Sequence, residues 1–497
     1  MKRDLLKTMQ LRFQEFDDFI ICFKPNGIRM LQLADGQYGF TEAFAEQIKK
    51  PLFKVFQLDK EVSGIVVLAK SKQAATMFQI LQQTYYFLTN QPVEKTKSTS
   101  ETSFQQVKKV GSFYLWKATT KSGNPFQVRI DAKNVGLPIL GDLSNGGAKW
   151  FRLGLHLSEI DFVLKEMKHH FEVSKPPSFL EPDLPQTKNL FRDSYFNKNQ
   201  LITVEADSCH RLIHTEAAEL RADIYGRHLW VYDYSERGLT PDQTRSIQEF
   251  AHEQDLSYCV RHMIDRGTGV GGLEESTLQT KVSKTQWQAL ESNLQFQLRT
   301  DAGFSPGLFL DQKENRKYVT AKSLQKNVLN LFSYTSGFSV AAAVGGAAAV
   351  TTVDVSKKFL EWSKENFKLN NLDASKYEFF AQDCLLFLKG SKKRNRLWDL
   401  IICDPPSFGR SEDSVWKIEK NLPELAQLIF DCLSSKGELL FTCNYEKWNR
   451  DQLIKEFTKK LPNDKFKIDR LPLLSLDFNE TDDMTNLMKG FLLKKKN

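Results

Sequence analysis

The sequence predicts an α/β protein of several domains that ends in a doubly wound parallel sheet. Three observations lead there. The chain has 497 residues, and at roughly 100–200 residues per domain it is too long for one ordinary core. From Asn327 onward, short apolar runs alternate with amphipathic stretches, the pattern of parallel strands joined by crossover helices. Small and acidic residues follow those runs directly, at the carboxyl edge where open parallel sheets bind ligands.

Taken in chain order, Phe19-Ile-Ile-Cys-Phe is strand-like and runs into Lys24-Pro-Asn-Gly27, a turn by composition. Phe56-Gln-Leu-Asp-Lys-Glu-Val-Ser-Gly64 leads into a second apolar strand, Ile65-Val-Val-Leu. The polar run from Gln91 to Ser103 reads as a loop inside this first unit, residues 1–170. Pro176, Pro177, Pro182 and Pro185 mark residues 171–199 as a linker. Beyond it, Leu201-Ile-Thr-Val-Glu and Leu229-Trp-Val-Tyr-Asp-Tyr alternate like strands, and Pro241 to Glu253 has helical spacing, giving a small mixed α/β unit over 200–300. The last unit, 301–497, carries the strands Val328-Leu-Asn-Leu-Phe, Val350-Thr-Thr-Val-Asp, Tyr377-Glu-Phe-Phe-Ala, Asp399-Leu-Ile-Ile-Cys and Glu438-Leu-Leu-Phe-Thr. No internal repeat is visible.

Composition narrows the class. A hydrophobic fraction of 41%, with 26% charged residues and 37 Phe, argues for packed cores and against extensive disorder. No apolar stretch reaches membrane-spanning length and the start lacks a signal-peptide run, so a cytoplasmic protein without a membrane partner is expected. The seven Cys are scattered singly, which indicates neither a disulfide framework nor a metal site. A net charge of +8 favours an anionic partner, because each Lys or Arg laid on a phosphate releases counterions.

In the last unit, the first strand runs into Ser333-Tyr-Thr-Ser-Gly337, a small-residue turn that lets backbone amides approach a ligand and opens a helix at Phe338. Asp354 ends the second strand, where a carboxylate can accept both hydroxyls of a ribose. It could equally cap a helix over Ser356 to Asn370. Gln382-Asp383 ends the third strand and Asp404-Pro-Pro-Ser-Phe408 the fourth. Pro405 and Pro406 stiffen a loop on which a flat ring can rest.

Together these residues resemble the class I S-adenosylmethionine-dependent methyltransferases, with a Rossmann-like sheet. Gly307-Leu-Phe-Leu-Asp-Gln-Lys-Glu-Asn-Arg316 and Val328 to Ala343 are similar to the branch that methylates large-subunit ribosomal RNA, over about residues 205–497. Cys209-His-Arg-Leu, Thr351-Thr-Val-Asp-Val-Ser, Leu360-Glu-Trp, Gln382-Asp-Cys-Leu and Asp404-Pro-Pro-Ser-Phe look most like its guanine-N7 members; the sister branch makes 5-methylcytosine. The resemblance implies S-adenosylmethionine as cofactor. It implies Ser333, Tyr334, Thr335 and Gly337 at the methionine part, Asp354 at the ribose, Asp383 at the adenine amine, and Asp404, Pro405, Pro406 and Phe408 at the target base, with Phe408 a stacking partner for a flipped nucleotide. Ser336 stands where the family usually has Gly. Gly307 to Arg316 would lie against the cofactor site, although Asp311, Asn315 and Arg316 fit equally as solvated helix residues.

The two branches differ at Cys443, in Phe441-Thr-Cys-Asn444. Cytosine C5 requires a thiolate to add to the base, and the catalytic Cys of that branch falls here; guanine N7 already carries an in-plane lone pair. Against a nucleophile, an isolated Cys at a buried strand end is usually just a small apolar residue, and no nearby His or Lys is evident to lower its pKa.

The front of the chain resembles the RluA-type pseudouridine synthases, an α+β fold. The likeness rests on the Lys24-Pro-Asn-Gly27 turn, Leu58-Asp59 with Ser63-Gly64, Gly123-Asn-Pro-Phe-Gln-Val-Arg129, Gly136-Leu-Pro-Ile-Leu-Gly-Asp142 and Leu153-Gly-Leu-His156, over about residues 10–165. It implies Asp59 as the catalytic carboxylate, Tyr85 as the ring packed on uracil, and Arg129 as the salt-bridge partner of Asp59. Gln57 stands where the family has an Arg that fills the gap left by the flipped base, and Pro125-Phe126 replace Thr-His. Read without the family, Asp59 is a turn carboxylate and Arg129 a strand charge.

Three functions are consistent with these residues: a bifunctional ribosomal RNA enzyme, a methyltransferase carrying an inert RNA-docking domain, and a methyltransferase acting on protein or a small molecule. The expected partner is ribosomal RNA or a ribosomal precursor, with no stable protein partner and no metal. Two independent halves that both point to RNA favour the first two.

Overall fold

The computed structural model describes residues 11–31, 38–91, 96–205, 207–214, 216–263, 278–281, 285–302, 305–410, 415–478 and 488–496. The front unit is built on a ten-stranded sheet. Its interior strand Ser63–Ala69 is buried along its whole length, which explains the unbroken apolar run in the sequence. Phe19–Lys24 pairs with one edge of that strand, Leu155–Leu164 with the other, and Gln79–Thr89 lies beyond. Part of the polar run expected as a loop is strand instead, because Thr96–Ser98 pairs with Thr102–Val110. Arg129 lies on a helix, Gln127–Asn134, rather than on a strand.

The Pro-bearing stretch is not a linker. Gln186–Leu201 forms a 16-residue helix on which Phe191, Asp193, Asn197 and Lys198 are buried. The prolines precede it, and Pro185 is its N-terminal cap. Leu190 and Phe191 join a cluster with Leu212, Ile224 and Phe250 of the middle unit, so this helix binds the front unit to the middle one. The strand expected at Leu201 to Glu205 is absent because Leu201 closes the helix.

The middle unit is a five-stranded mixed sheet crossed by the helix Pro241–Glu253. The Thr240 hydroxyl accepts from Gln243 N–H and Pro241 occupies the first turn, so the helix starts where its sequence dictates. A hairpin, Gln286–Glu291 with Leu294–Arg299, comes next. Its Trp287, Phe296 and Leu298 share one cluster with Val328, Phe338 and Val340 of the last unit, so the boundary expected at residue 300 does not coincide with a break in packing.

The last unit is a seven-stranded sheet in the order Glu378–Ala381, Ala349–Asp354, Asn327–Leu331, Trp398–Cys403, Leu433–Cys443, Lys489–Lys495, Phe466–Asp469. The first five are mutually parallel and the last two pairings are antiparallel. Chain order reverses between Asn327–Leu331 and Trp398–Cys403, which opens a crevice at their carboxyl ends. The turns Ser333–Gly337 and Asp404–Phe408 flank that crevice.

Candidate active site

A cavity of about 420 Å³ lies over that crevice, within the usual range for small-molecule sites. Ser333, Tyr334, Thr335, Gly337, Asp354, Asp383, Asp404, Pro405 and Pro406 all line it. The turn after the first strand is unusual: Phe332, Tyr334 and Ser336 each have positive φ, between 50° and 67°. A non-glycine residue costs on the order of 1–2 kcal/mol there, and other contacts must hold it. Ser336 is fully buried with its hydroxyl 2.6 Å from that of Ser363, which shows how a serine is accommodated where glycine is usual. Thr335 donates to Gly307 O at 2.5 Å, and Asn366 donates to Thr335 O at 2.9 Å.

Asp354 accepts Tyr334 N–H on one oxygen and Ser356 N–H on the other, each at 2.9 Å. It therefore does not cap the following helix; Ser356 does, accepting from Phe359 N–H. Burial pushes the Asp354 pKa up, opposed by those two N–H groups. Asp383 caps the helix Cys384–Lys393 through Leu386 N–H and also faces the cavity. These residues fit S-adenosylmethionine. The Asp354 carboxylate keeps lone pairs for a diol, the buried Ser333 hydroxyl lacks a partner, and Phe309, Phe332 and Phe359 give the cavity an apolar wall.

The lead-in segment also lines the cavity, with Gly307, Phe309, Asp311, Gln312 and Arg316. Asn315 and Arg316 are buried rather than solvated. Arg316 makes a bidentate pair with Glu291, both bonds 2.6 Å, and tethers the hairpin to this wall. Gly307 takes φ +124°, and a Cβ there would lie 2.4 Å from the Trp362 ring, so only glycine fits.

On the target side, Gln312 donates to Asp404 at 2.9 Å. Burial pushes the Asp404 pKa up to about 6; Thr442 and Gln312 hydrogen bonds oppose the rise and Asp311 adds to it. Trp416 donates to Pro406 O at 2.6 Å and braces the proline loop. Phe408 is not on the cavity wall: it begins a short strand, Phe408–Arg410, paired with Val415–Lys417. That hairpin places Trp416 at the cavity instead, packed at 5.2 Å on Phe332. Nothing in the sequence near the proline loop signalled Trp416, because the hairpin brings it there.

Cys443 is fully buried, does not line the cavity, and has its pKa pushed up to about 11 by burial. A lysine does stand near it: Lys489 is its cross-strand partner, 46 positions away in sequence, and its charge opposes the rise without overcoming it. The Lys489 ammonium donates to Tyr445 O at 2.6 Å.

The front unit assembles a second centre. Asp59 precedes the strand Ser63–Ala69, and Tyr85 lies on Gln79–Thr89 opposite Leu157, so Leu155–Leu164, the strand between, brings them together. Arg129 donates to Asp59 at 2.6 Å and to both oxygens of Asp142 at 2.8 and 2.7 Å. Asp142 ends a sequence motif that gives it no role by itself; its fully buried carboxylate fixes the guanidinium that reaches Asp59. Those hydrogen bonds and the Arg129 charge hold Asp142 below the usual carboxylate range against burial. Lys24 is buried, and its ammonium donates to Pro25 O, Ile28 O and Lys60 O, tying the Lys24–Gly27 turn to the residue after Asp59. Burial pushes its pKa down to about 7. Gln57 accepts from Lys54 at 3.0 Å, and Phe126 is exposed.

Comparison with known proteins agrees with both halves. Residues 273–493 match the S-adenosylmethionine-dependent methyltransferase family model and residues 18–134 the RNA pseudouridylate synthase model. A ribosomal RNA large subunit methyltransferase K/L of Shewanella frigidimarina is 42% identical over 164 residues, 32% of this chain and 23% of that protein. The Shewanella oneidensis protein of the same name is 39% identical over 201 residues, 39% of this chain and 27% of that one. The match thus spans about a quarter of these relatives' length. The structure of a putative methyltransferase complexed with SAH has the same fold over 66% of this chain and 85% of that one, with TM-score 0.54 and 24% identity. None of the described helices is long and apolar enough to cross a membrane. The chain therefore joins a domain of the RNA pseudouridylate synthase family to a C-terminal domain of the S-adenosylmethionine-dependent methyltransferase family.

Proposed function

We propose that this chain modifies large-subunit ribosomal RNA in the cytoplasm, methylating guanine N7 with its last unit and isomerising uridine with its first. The observation that carries the methyl-transfer reading is the meeting of Asp354, Asp383 and Asp404, three strand-end acids, on one cavity. S-adenosylmethionine supplies an activated methyl group when bound. Asp354 accepts its ribose hydroxyls, Asp383 its adenine amine, and Ser333 to Gly337 cradle the methionine portion. Asp404 accepts hydrogen bonds from the target base, and the Pro405-Pro406 loop with Trp416 supports its flat face.

Guanine N7 needs orientation and no general base, so holding the lone pair in line with the methyl group carries the rate. The neutral, buried Cys443 thiol supports this reading over the cytosine mechanism. The names of the relatives and the basic charge of the chain support ribosomal RNA as substrate. For the front unit, the Asp59–Arg129–Asp142 arrangement supports an active centre, while Gln57 and Phe126 replace groups that would distort RNA.

The test pairs two variants. Asp404→Ala is expected to abolish radiolabelled methyl transfer to ribosomal RNA from a gene-deletion strain while pseudouridine formation persists. Asp59→Ala is expected to do the reverse. Methyl transfer retained by Asp404→Ala would defeat the site assignment.

A further inference from the structure

Asp404 is held by a relay that the carboxylate chemistry alone does not require. Gln312 Nε2 donates to Asp404 Oδ2 at 2.9 Å and to Thr442 Oγ1 at 3.1 Å. Its Oε1 accepts from Asn315 Nδ2 at 2.8 Å. An amide set against a carboxylate must present its NH2 group, so the relay has one workable direction. Thr442 hydrogen-bonds Asp404 as well. Gln312, Asn315 and Thr442 are all buried, and the residue after Gln312 is anchored separately, Lys313 pairing with Asp477 at 3.1 Å. Gln312 is thus buried and held at both ends of its amide, and it lines the cavity together with Asp404.

We infer that Gln312 is the positioning residue of the methyl-transfer site: it fixes the Asp404 carboxylate so that its remaining lone pairs meet a donor edge of the target base. This rests on the reading of the last unit as an RNA methyltransferase. A carboxylate with one oxygen taken by a fixed donor accepts from the N1–H and N2–H edge of guanine, and it rejects a base that offers only acceptors at that point. Asp311 and Arg316 face Asp404 from the lead-in side, and the thiols of Cys403 and Cys443 from the strands. Of the groups around it, Gln312 and Thr442 are the hydrogen-bond partners that favour its charged form.

Two variants separate positioning from packing. Gln312→Leu keeps the volume and removes the donor; Gln312→Glu keeps the shape and sets a second carboxylate against Asp404, which donates only when the pair shares a proton. Both are measured on the full chain for S-adenosylmethionine affinity by calorimetry, and for kcat and KM with large-subunit ribosomal RNA from the deletion strain. Gln312→Leu is expected to hold cofactor affinity and RNA KM within about threefold, since phosphate contacts dominate RNA binding, and to lower kcat by about 10- to 100-fold. Its acidic limb moves to higher pH than in the wild type, whereas Gln312→Glu has its optimum at lower pH. A kcat within twofold of wild type for Gln312→Leu, or equal losses in both variants with an unchanged pH profile, overturns the inference. Wild-type protein that binds S-adenosylmethionine but methylates no RNA overturns the underlying functional reading and this one with it.

Discussion

Removing the Asp477 carboxylate tests how the units are joined. Asp477 is 1% exposed. It accepts Lys313 Nζ at 3.1 Å on each oxygen, Arg211 N–H at 2.9 Å, and the Ser475 hydroxyl. Its backbone oxygen takes Lys198 Nζ at 2.6 Å. One residue thus gathers groups from the helix Gln186–Leu201, the middle sheet and the lead-in helix. Burial alone would raise its pKa, but Lys313 and these hydrogen bonds hold it well below the usual carboxylate range. Its contribution is therefore complete above the unfolded carboxylate value near pH ~4 and declines as pH falls below that. Asp477→Ala removes the carboxylate that pairs with the buried Lys313, and breaking such a pair costs about 3–5 kcal/mol. At about 2–4 °C per kcal/mol for a domain of this size, Tm falls by roughly 6–20 °C. Differential scanning calorimetry at pH 7.5 reads this directly. Asp301→Ala is the control, because its pair with Lys358 at 3.5 Å is more than half exposed on both sides and is worth little. An Asp477→Ala shift no larger than that of the control would refute the reasoning.

Three further outcomes are expected. Cys443→Ala retains methyl transfer within about twofold, because the buried thiol is neutral; loss of at least a hundredfold with the fold intact would establish a nucleophile. The wild-type methylation rate falls as pH drops through about 6, where the Asp404 carboxylate takes up a proton and stops accepting; a flat profile between pH 5 and 8 would contradict that role. Arg129→Met lowers pseudouridine formation by at least a hundredfold while leaving methylation unchanged, since it removes the cation shared by Asp59 and Asp142; pseudouridine formation equal to that of the wild type would remove Arg129 from the catalytic centre.

The five parallel strands of the last unit were legible because their apolar runs, such as Val328 to Leu331, are continuous in sequence, and the acids Asp354, Asp383 and Asp404 lie at or just past their ends. The linker failed for the opposite reason. The helix Gln186–Leu201 is polar in composition, and the Asp193 and Lys198 it buries are satisfied by partners far away in sequence, Arg152 and Asp477. Prolines before a helix look the same as prolines in a linker. Phe408 and Trp416 exchanged places for a similar reason: the choice of cavity ring depends on the pairing Phe408↔Lys417, which no periodicity reveals. Lys489 meets Cys443, and Gln312 meets Asp404, only through sheet pairing and the lead-in turn.

The most direct measurement is nucleoside mass spectrometry on large-subunit ribosomal RNA from a gene-deletion strain, before and after treatment with purified protein and S-adenosylmethionine. The account predicts a gain of 7-methylguanosine that disappears with Asp404→Ala. A gain of 5-methylcytidine, or no methylated nucleoside at all, would contradict it.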